Sequence, residues 1–368
     1  MNLNVLLVAP YGGVPGGISR WTSHIVDYYK KHGHNDCRLG LVAMGRSTFV
    51  NINMPVWRRL WSAWIDYRAI FRNLNAEIGK GQYDVMHLTS SGSLSLFKDI
   101  AMLKMARRKG LKRVIHFRFG RIPELAKQNN WEWKLLKRVV ELSDRAIVID
   151  RASYDVLVSS GLQGIELLDN PIAPQVVKVV GENHDVRRED RVVLFTGHVV
   201  RTKGIFELLR ACASIDGVKL KLVGHITPEM REEIEREFGA DASWYKAYGE
   251  MPYTDVIKEM QKCDIFVLPT YTEGFPNVIL ESMAAGCAII STPVGAIPQM
   301  LEDDGDGKYG LLVEPRNVQQ LHDAIEHLLN DEALKDEMRR NVQRRVNERY
   351  NIDVVWSKML KIWKSCVG

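Results

Sequence analysis

The residue types best suited to chemistry gather in Asp264–Gly286, DIFVLPTYTEGFPNVILESMAAG. Its apolar start predicts a buried strand, and Pro276-Asn277 opens a helix that closes at Gly286, because Pro suits a first helical turn and Gly follows a last one. A helix N-terminus presents free backbone N–H groups, which bind phosphate. Glu273 and Glu281 are eight residues apart, and a carboxylate can accept two hydrogen bonds from vicinal hydroxyls. We expect a diphosphate site with a sugar at one carboxylate and a ribose at the other; the simpler alternative is two solvated glutamates.

A basic loop follows another predicted strand, in Phe195–Gly204 (FTGHVVRTKG), and leads into a helix. A lysine at the mouth of a parallel sheet is a ready phosphate ligand, because its ammonium is a mobile point charge. Lys203 is therefore a candidate phosphate ligand, with Arg201 beside it. The alternative is a surface loop with incidental basic residues.

A glycine-rich loop, Ala9–Ile18 (APYGGVPGGI), joins the first predicted strand to the first helix. Its glycines permit positive φ and close approach of a ligand to the backbone. The G-x-G-x-x-G pattern of dinucleotide-binding proteins is absent, which argues against a nicotinamide cofactor. By itself the loop is equally consistent with a tight strand-to-helix turn.

The Glu273 segment resembles the signature of retaining glycosyltransferases of family 4, which have the GT-B fold: P-x-x-x-E-G-F-P-x-x-x-x-E-x-M-A-x-G. The run Thr292–Pro298 (TPVGAIP) is also similar to that family, and Lys203-Gly204 match its basic loop. The family usually has an arginine where this chain has His198, so Arg201 is an alternative source of the guanidinium.

The resemblance implies how the site residues divide. Glu273 would orient the donor sugar, while Lys203 and Arg201 would stabilise the leaving diphosphate without a metal ion or other cofactor. The donor would be a UDP- or GDP-sugar. The donor-binding residues implied are Gly13, Gly16, Gly17, His198, Gly274, Phe275, Pro276, Asn277, Val278 and Glu281.

Relatives often carry a histidine near the reacting sugar, in a loop that corresponds to Arg113–Glu124 (RVIHFRFGRIPE) of this chain. His116 is the only histidine in that stretch. Arg118 takes the place of the second histidine in the related H-x-H-G pattern. Both are candidates for the catalytic position, and a buried structural histidine is the alternative for His116.

Tryptophan and arginine recur at helical spacing in Val56–Leu74 (VWRRLWSAWIDYRAIFRNL). Such a helix suits a membrane interface or a lipid-linked acceptor, although an apolar stripe at this spacing more often packs in a core. Trp131 and Trp133 are expected to extend the same surface. The candidate membrane or acceptor residues on the helix are Arg58, Arg59, Trp61, Trp64, Arg68 and Arg72.

Short apolar runs alternate with amphipathic stretches along the whole chain, which predicts βαβ units on parallel sheets. The prolines of Asp169–Pro174 mark a boundary. We therefore expect an α/β protein with two Rossmann-like doubly wound domains facing a central cleft, as in GT-B. Residues 1–170 form the acceptor-side domain, residues 171–349 bind the nucleotide-sugar, and the C-terminal helix (350–368) crosses back to the first domain.

The charges of the 368 residues are unevenly distributed. Residues 1–170 carry 25 Lys and Arg against 14 Asp and Glu, while the whole chain carries 50 against 45. The basic first half predicts an anionic partner. Five cysteines with no close pair indicate small buried thiols in a reducing compartment. No apolar run reaches the roughly 18 residues of a membrane span, and the first residues read as a strand, not a signal peptide.

The family resemblance implies a glycosyltransferase that moves a sugar from a nucleotide-sugar to a glycan or lipid-linked acceptor, with retained configuration. We expect it on the cytoplasmic face of a bacterial membrane, in surface polysaccharide or glycolipid assembly, without nucleic acid as a partner. The alternatives are a nucleotide-sugar epimerase of similar architecture, a nicotinamide oxidoreductase, and a non-catalytic nucleotide- or nucleic-acid-binding protein.

Overall fold

A computed structural model describes residues 3–12, 16–33, 36–44, 56–183, 186–240, 242–301 and 309–368, with side chains from residue 66 onward in the helix at 56–79. Its strands are β1 (Leu3–Ala9), β2 (Cys37–Ala43), β3 (Val85–Ser90), β4 (Lys112–Phe117), β5 (Arg145–Val148), β6 (Ile165–Leu167), β7 (Val192–Thr196), β8 (Lys219–Val223), β9 (Tyr245–Gly249), β10 (Ile265–Leu268), β11 (Ala288–Ser291) and β12 (Leu311–Leu312).

The helices alternate with these strands. They are α1 (Gly17–His32), α2 (Val56–Gly79), α3 (Ser95–Arg108), α4 (Ile122–Gln128), α5 (Trp131–Glu141), α6 (Arg151–Ser159), α7 (Pro174–Glu182), α8 (Ile205–Ala213), α9 (Pro228–Phe238), α10 (Tyr253–Lys262), α11 (Asn277–Ala284), α12 (Ile297–Leu301), α13 (Val318–Asn330), α14 (Glu332–Arg345) and α15 (Ile352–Val367), with a 3-10 turn at Arg201–Lys203 and a π-helical turn at Val346–Tyr350.

The chain divides into two compact units, each built on one parallel sheet. Unit 1 comprises Met1–Asn170 and Ile352–Gly368, and unit 2 comprises Pro171–Asn351. The strand order is β2-β1-β3-β4-β5-β6 in unit 1 and β12-β11-β10-β7-β8-β9 in unit 2. The predicted α/β class with two doubly wound sheets is confirmed, and the last helix, α15, belongs to unit 1.

The sheet of unit 1 is buried on both faces, which explains its continuous apolar strands. In β1, Leu6 and Val8 face a core shared with α2 to α5, whereas Val5 and Leu7 face a second core. That second core contains buried side chains of α1 and α15. The C-terminal helix is therefore part of the hydrophobic core of unit 1.

A buried ion network fixes β10 in unit 2. Asp264, immediately before β10, accepts hydrogen bonds from Lys335 Nζ at 2.8 Å and from Arg339 at 2.9 Å, both on α14. The Lys335 side chain is 1% exposed and that of Asp264 is 4% exposed. Because a buried charge is costly without its partner, this network constrains where β10 begins.

Three short helices are absent from the sequence-based prediction: α4, α7 and α12. Each has proline at its first or second position, namely Pro123, Pro174 and Pro298. Interpreting Pro171 and Pro174 as the end of regular structure was wrong for Pro174, because proline is well tolerated in the first turn of a helix, where its missing N–H would have no partner.

All five cysteines are buried and free, as predicted. Within the described ranges, no helix combines the length and apolarity that crossing a bilayer requires.

Candidate functional site

The two chemically richest loops of unit 2 follow adjacent strands. β7 and β10 are neighbouring parallel strands, with Phe266 opposite Leu194. From β7 the chain fills one side of the sheet with β8 and β9, and then continues on the other side with β10, β11 and β12. The crevice beyond the carboxyl ends of such a pair is where open α/β sheets bind ligands. The fold thus places the Lys203 loop and the Glu273 loop side by side.

Close backbone contacts fasten these two loops together. Tyr271 N–H donates to the Thr202 carbonyl at 2.9 Å. Gly204 has φ +72°, and a Cβ there would overlap the Pro269 carbonyl oxygen. Any larger residue would push the loops apart, so glycine at 204 is needed both for its conformation and for its size.

The functional side chains of the two loops meet in an ion pair between Lys203 Nζ and Glu273 Oε1. The Lys203 side chain is 26% exposed and that of Glu273 is 14% exposed. A partly buried pair is screened less by water than a surface pair. The structure therefore joins the predicted phosphate ligand and the predicted sugar-binding carboxylate directly.

The backbone around Glu273 is held by the loop that follows β11. Ala296 N–H donates to the Gly274 carbonyl at 2.8 Å. Gly295 has φ +57°, and a Cβ there would overlap the Glu273 carbonyl oxygen. This explains the TPVGAIP run: its glycine lets the third loop pack directly on the second.

Helix α11 begins where the sequence predicts, with Pro276 as its N-cap and no side-chain cap within the described structure. Phe275 and Pro276 are buried, and the Phe275 ring lies 6.1 Å from that of Tyr350. Asn277 and Val278 form the first turn. The positive end of the helix dipole is thus presented beside Lys203 and Glu273, an arrangement that favours anions.

Glu281, the fifth residue of α11, accepts a hydrogen bond from the Tyr253 hydroxyl at 2.7 Å. Tyr253 is the first residue of α10 and directly follows Tyr248–Pro252 (YGEMP), the stretch in which β9 ends. Sequence reasoning missed Tyr253, because the contact joins residues 28 apart. The local signal that could have indicated Tyr253 is its position as the first residue of a helix that follows a strand.

The loops after β7, β8 and β9 are also tied together. Val199 N–H donates to the His225 carbonyl and Gly224 N–H to the Gly249 carbonyl, each at 2.8 Å. The His198 and His225 rings lie 5.9 Å apart. His198 is exposed at this edge.

Arg201 lies apart from Lys203 and Glu273. Its guanidinium pairs with Glu233 on α9 and lies 4.3 Å from the centre of the Phe206 ring. Arg201 and Lys203 are only two residues apart in the sequence, yet their side chains contact different partners. Among the described residues of the chain, no group of three or more His, Cys, Asp or Glu is arranged to hold a metal ion.

The glycine-rich loop is described only in part. Gly13 lies outside the described residues. Gly16 is the exposed N-cap of α1 and Gly17 is its first residue. The Gly16 N–H donates to Ser19 Oγ at 2.9 Å, so the loop enters α1 through a local cap.

His116 and Arg118 contact each other at the carboxyl end of β4. His116 lies within the strand and is fully buried, and its Nε2 is 3.2 Å from an Arg118 guanidinium nitrogen. Burial holds the pKa of His116 well below its usual range, and the Arg118 charge lowers it further. His116 and Arg118, which were alternative candidates for one position, thus contact each other. His116 is buried, as the alternative of a structural histidine predicts.

The residues proposed for a membrane surface fall into two groups. Arg58, Arg59, Trp61 and Trp64 lie in α2 where side chains are outside the described part, whereas Arg68 and Arg72 are exposed. The apolar stripe further along α2, at Leu74, is core. Trp133 is 4% exposed and packs in the same core, so the expectation that it extends the surface was wrong. Trp131 is 51% exposed and stacks on Phe97.

Residues 181–345 match the family described as Glycosyl transferases group 1. The chain is 28% identical over 200 residues to the capsular polysaccharide biosynthesis glycosyltransferase CapM of Staphylococcus aureus, covering 51% of this chain and 50% of CapM. The chain spans about half the length of the curated relatives it matches.

Solved structures are similar over nearly the whole chain. Sucrose-phosphate synthase from Thermosynechococcus elongatus aligns with a TM-score of 0.76 at 18% identity, covering 99% of both chains. Anabaena HepE, solved with UDP and glucose, aligns with a TM-score of 0.68 at 17% identity, covering 99% of this chain and 100% of HepE. The two parallel sheets therefore have the fold of the GT-B glycosyltransferases, and residues 181–345 are similar to the group 1 glycosyl transferases.

Proposed function

We propose that this protein transfers a sugar from a UDP- or GDP-sugar to a glycan or lipid-linked acceptor, with retained anomeric configuration. The observation that carries the proposal is the Lys203–Glu273 ion pair at the switch point of the unit 2 sheet, beside the N-terminus of α11. An ammonium, a helix dipole and a carboxylate at one crevice match the two ends of a sugar diphosphate.

The geometry supports a division of labour in the reaction. Lys203 and the first turn of α11 attract the diphosphate and stabilise the charge that develops as the bond from the anomeric carbon to its phosphate oxygen breaks. Glu273, released from Lys203 by the phosphate, accepts hydrogen bonds from the sugar hydroxyls. Glu281, oriented by Tyr253, is close enough along α11 to hold ribose hydroxyls. The acceptor oxygen then bonds to the anomeric carbon on the same face, and its proton passes to the departing phosphate.

The charges named above supply the stabilisation that a metal ion would otherwise give, so the proposed transfer needs none. We expect turnover to be the same in EDTA as in Mg²⁺. A strict requirement for a divalent ion would contradict this part of the proposal.

A donor screen tests the proposal directly. UDP-glucose is the first donor to try, because the solved HepE complex contains UDP and glucose. Each nucleotide-sugar is incubated with acceptor oligosaccharides, and the anomeric configuration of the product is read by NMR. An α-linked product from an α-linked donor is expected. An inverted product would contradict retention, and a changed donor sugar without any acceptor would favour the epimerase alternative.

The acceptor side of the proposal rests on unit 1. The relative CapM is named for capsular polysaccharide biosynthesis, which makes a growing surface glycan a suitable acceptor. Leu94, Phe97 and Trp131 form an exposed apolar surface, the aromatic patch, with the Phe97 and Trp131 rings stacked 6.2 Å apart. Exposed aromatic residues on a basic unit suit the headgroup region of an anionic membrane. We place the protein peripherally on the cytoplasmic face.

Vesicle binding tests this placement. The Phe97→Ser/Trp131→Ser variant should bind vesicles with anionic lipid at least several-fold more weakly than the wild type. Val177→Ser, which changes an exposed apolar residue of unit 2, is the matched control. Equal binding by all three proteins would remove the aromatic patch from the proposal.

A further inference from the structure

Five side chains of unit 1 form a buried polar cluster on the sheet face that packs against α1 and α15. We call it the histidine–arginine cluster: Trp21 of α1, His87 of β3, His116 of β4, Arg118 just beyond β4, and Trp363 of α15. His87, His116 and Trp363 are 0% exposed. Polar groups buried this deeply normally have their hydrogen bonds satisfied, so their partners can be counted.

Three contacts connect four of these residues in a row. Trp363 Nε1 lies 2.9 Å from His87 Nδ1. His87 Nε2 lies 3.2 Å from His116 Nδ1, and His116 Nε2 lies 3.2 Å from an Arg118 guanidinium nitrogen. Both ends of the row, the indole and the guanidinium, can only donate hydrogen bonds.

The row contains one donor too many. Burial lowers the pKa of His87 to about 3 and that of His116 well below its usual range, so both rings are neutral and each carries one N–H. Two neutral imidazoles offer two acceptor nitrogens, whereas three contacts need three. One of the three contacts is therefore a donor facing a donor.

We assign the contact without an acceptor to Arg118, because it is the only residue of the row that is not fully buried, and an unsatisfied donor costs least there. Trp363 Nε1–H makes the shortest contact, and its indole is locked in a packed core. His87 Nδ1 therefore accepts from Trp363, and His87 Nε2–H donates to His116 Nδ1. His116 must then carry its hydrogen on Nε2, which points at the Arg118 guanidinium.

Further donors in the cluster also lack an acceptor. Arg118 Nε and Trp21 Nε1 are buried without a hydrogen-bond partner in the described part of the chain. The Arg118 guanidinium lies 4.6 Å from the centre of the Trp21 ring, and burial lowers its pKa to about 9. By contrast, Arg121, three residues further on, is paired with Glu132.

We propose that Arg118 and His116 Nε2–H form a binding site for an oxyanion, the carboxylate or phosphate of a ligand that unit 1 binds. An oxyanion is acceptor-only and matches the guanidinium in charge and shape. His87 and Trp363 are positioning residues that keep the His116 hydrogen on Nε2. Arg118 is only partly buried and follows a carboxyl strand end, so a ligand can reach it. The site lies at the two residues that the family resemblance offers for the catalytic position, and it deepens the proposed function by assigning them an anion, which the roles of Lys203 and Glu273 do not include.

Ring-nitrogen NMR of the full chain with ¹⁵N-labelled histidine tests the site. In the free protein, both His87 and His116 should carry hydrogen on Nε2. Inorganic phosphate, glucuronate and, as a neutral reference, glucose are titrated separately. We expect saturable shifts of the His116 Nε2 signal with phosphate, glucuronate or both, and none with glucose. Which anion binds distinguishes a phosphate ligand from a carboxylate ligand.

Arg118→Gln should weaken the response at His116 at least ten-fold, whereas Arg107→Gln, which changes an exposed arginine of α3, should leave it unchanged. The proposal is overturned if neither anion shifts His116, or if Arg118→Gln binds as well as the wild type. Loss of UDP binding to unit 2 would leave this result untouched, so the two proposals fail separately.

Trp363→Phe tests the positioning role while keeping a large aromatic ring in the core. Removing the indole N–H should let His87 populate both tautomers and should weaken anion binding. Arg118→Lys, which keeps a positive charge at position 118, should retain part of the affinity for the anion. If Trp363→Phe keeps both rings protonated on Nε2 with full affinity, the positioning role is wrong.

Discussion

Lys203 and Glu273 pair across the two loops that follow β7 and β10, the strands on either side of the switch point. Each is the other's ion-pair partner. A diphosphate must therefore compete with Glu273 for the ammonium. This makes the charge of Glu273 unfavourable for nucleotide binding even though the residue is proposed to bind the sugar.

Glu273→Gln should separate these two effects. Losing the carboxylate frees Lys203 and removes a negative charge beside the phosphate, so UDP or GDP should bind about 3–10-fold more tightly. Sugar transfer should fall by about 100-fold, because the sugar hydroxyls lose their charged acceptor. Nucleotide titration by calorimetry and steady-state turnover measure the two quantities. Weaker nucleotide binding in Glu273→Gln would argue against the competition.

Tyr253→Phe and Glu281→Ala should act on the same contact. Both remove the hydrogen bond that orients the Glu281 carboxylate, so both should weaken binding of the nucleoside diphosphate, Glu281→Ala by about 10-fold and Tyr253→Phe by less. Glu326→Ala, which removes an exposed glutamate from α13, is the control. If Glu281→Ala binds as the wild type does, the ribose assignment is lost.

The buried histidines predict loss of stability in mild acid. The folded-state pKa of His87 is about 3, and that of His116 is also lowered, whereas an unfolded histidine has a pKa near 6.5. The unfolded chain therefore binds more protons below that value. Stability is fully present above pH 6.5 and falls below it; His87 contributes about 1.4 kcal/mol per pH unit down to about pH 3, and His116 lowers the stability in the same direction.

Urea unfolding of the full chain at pH 7.5 and pH 5.5 measures this loss. His87→Gln should reduce the difference between the two pH values by about 1 kcal/mol. The exposed His327→Gln in unit 2 should not change it. An unaltered difference in His87→Gln would mean that the ring is protonated in the folded protein.

Asp264 should be critical for the stability of unit 2. Asp264→Ala removes the buried carboxylate that pairs with both Lys335 and Arg339 and leaves Lys335 with the exposed Glu332 alone, which costs about 3–5 kcal/mol. Replacing Lys335 as well, in Asp264→Leu/Lys335→Met, should recover part of that loss, because the fully buried ammonium is removed while Arg339 keeps Glu332 and Asp336 as partners. Thermal unfolding of the single and double variants checks this, and a double variant less stable than Asp264→Ala would contradict it.

Sequence pattern predicts what is local in this fold. Most strands were expected close to their observed positions, because buried parallel strands such as β1 and β10 are continuous apolar runs. The loops at Lys203 and Glu273 could be identified as site loops, because each motif directly follows one of these apolar strands. Helix α7 was missed because Pro174 was interpreted as the end of regular structure, whereas α4 and α12, seven and five residues long, are too short to show a helical period.

Long-range contacts could not be predicted. Trp363 and His87 are 276 residues apart in sequence, and no local pattern pairs an indole on the last helix with a histidine in the third strand. Arg201 and Lys203 have similar chemistry and lie two residues apart, yet only the 3-10 turn decides that Lys203 meets Glu273 while Arg201 meets Glu233.

Nucleotide binding by Lys203→Ala is the most direct test of the central claim. Calorimetric titration with UDP and GDP is compared between the wild type, Lys203→Ala and Lys178→Ala, which removes an exposed lysine from α7. Loss of a charge-assisted hydrogen bond should lower the affinity of Lys203→Ala by about 10–100-fold and leave Lys178→Ala unchanged. Equal affinity in all three proteins would show that the crevice between the β7 and β10 loops does not hold the diphosphate.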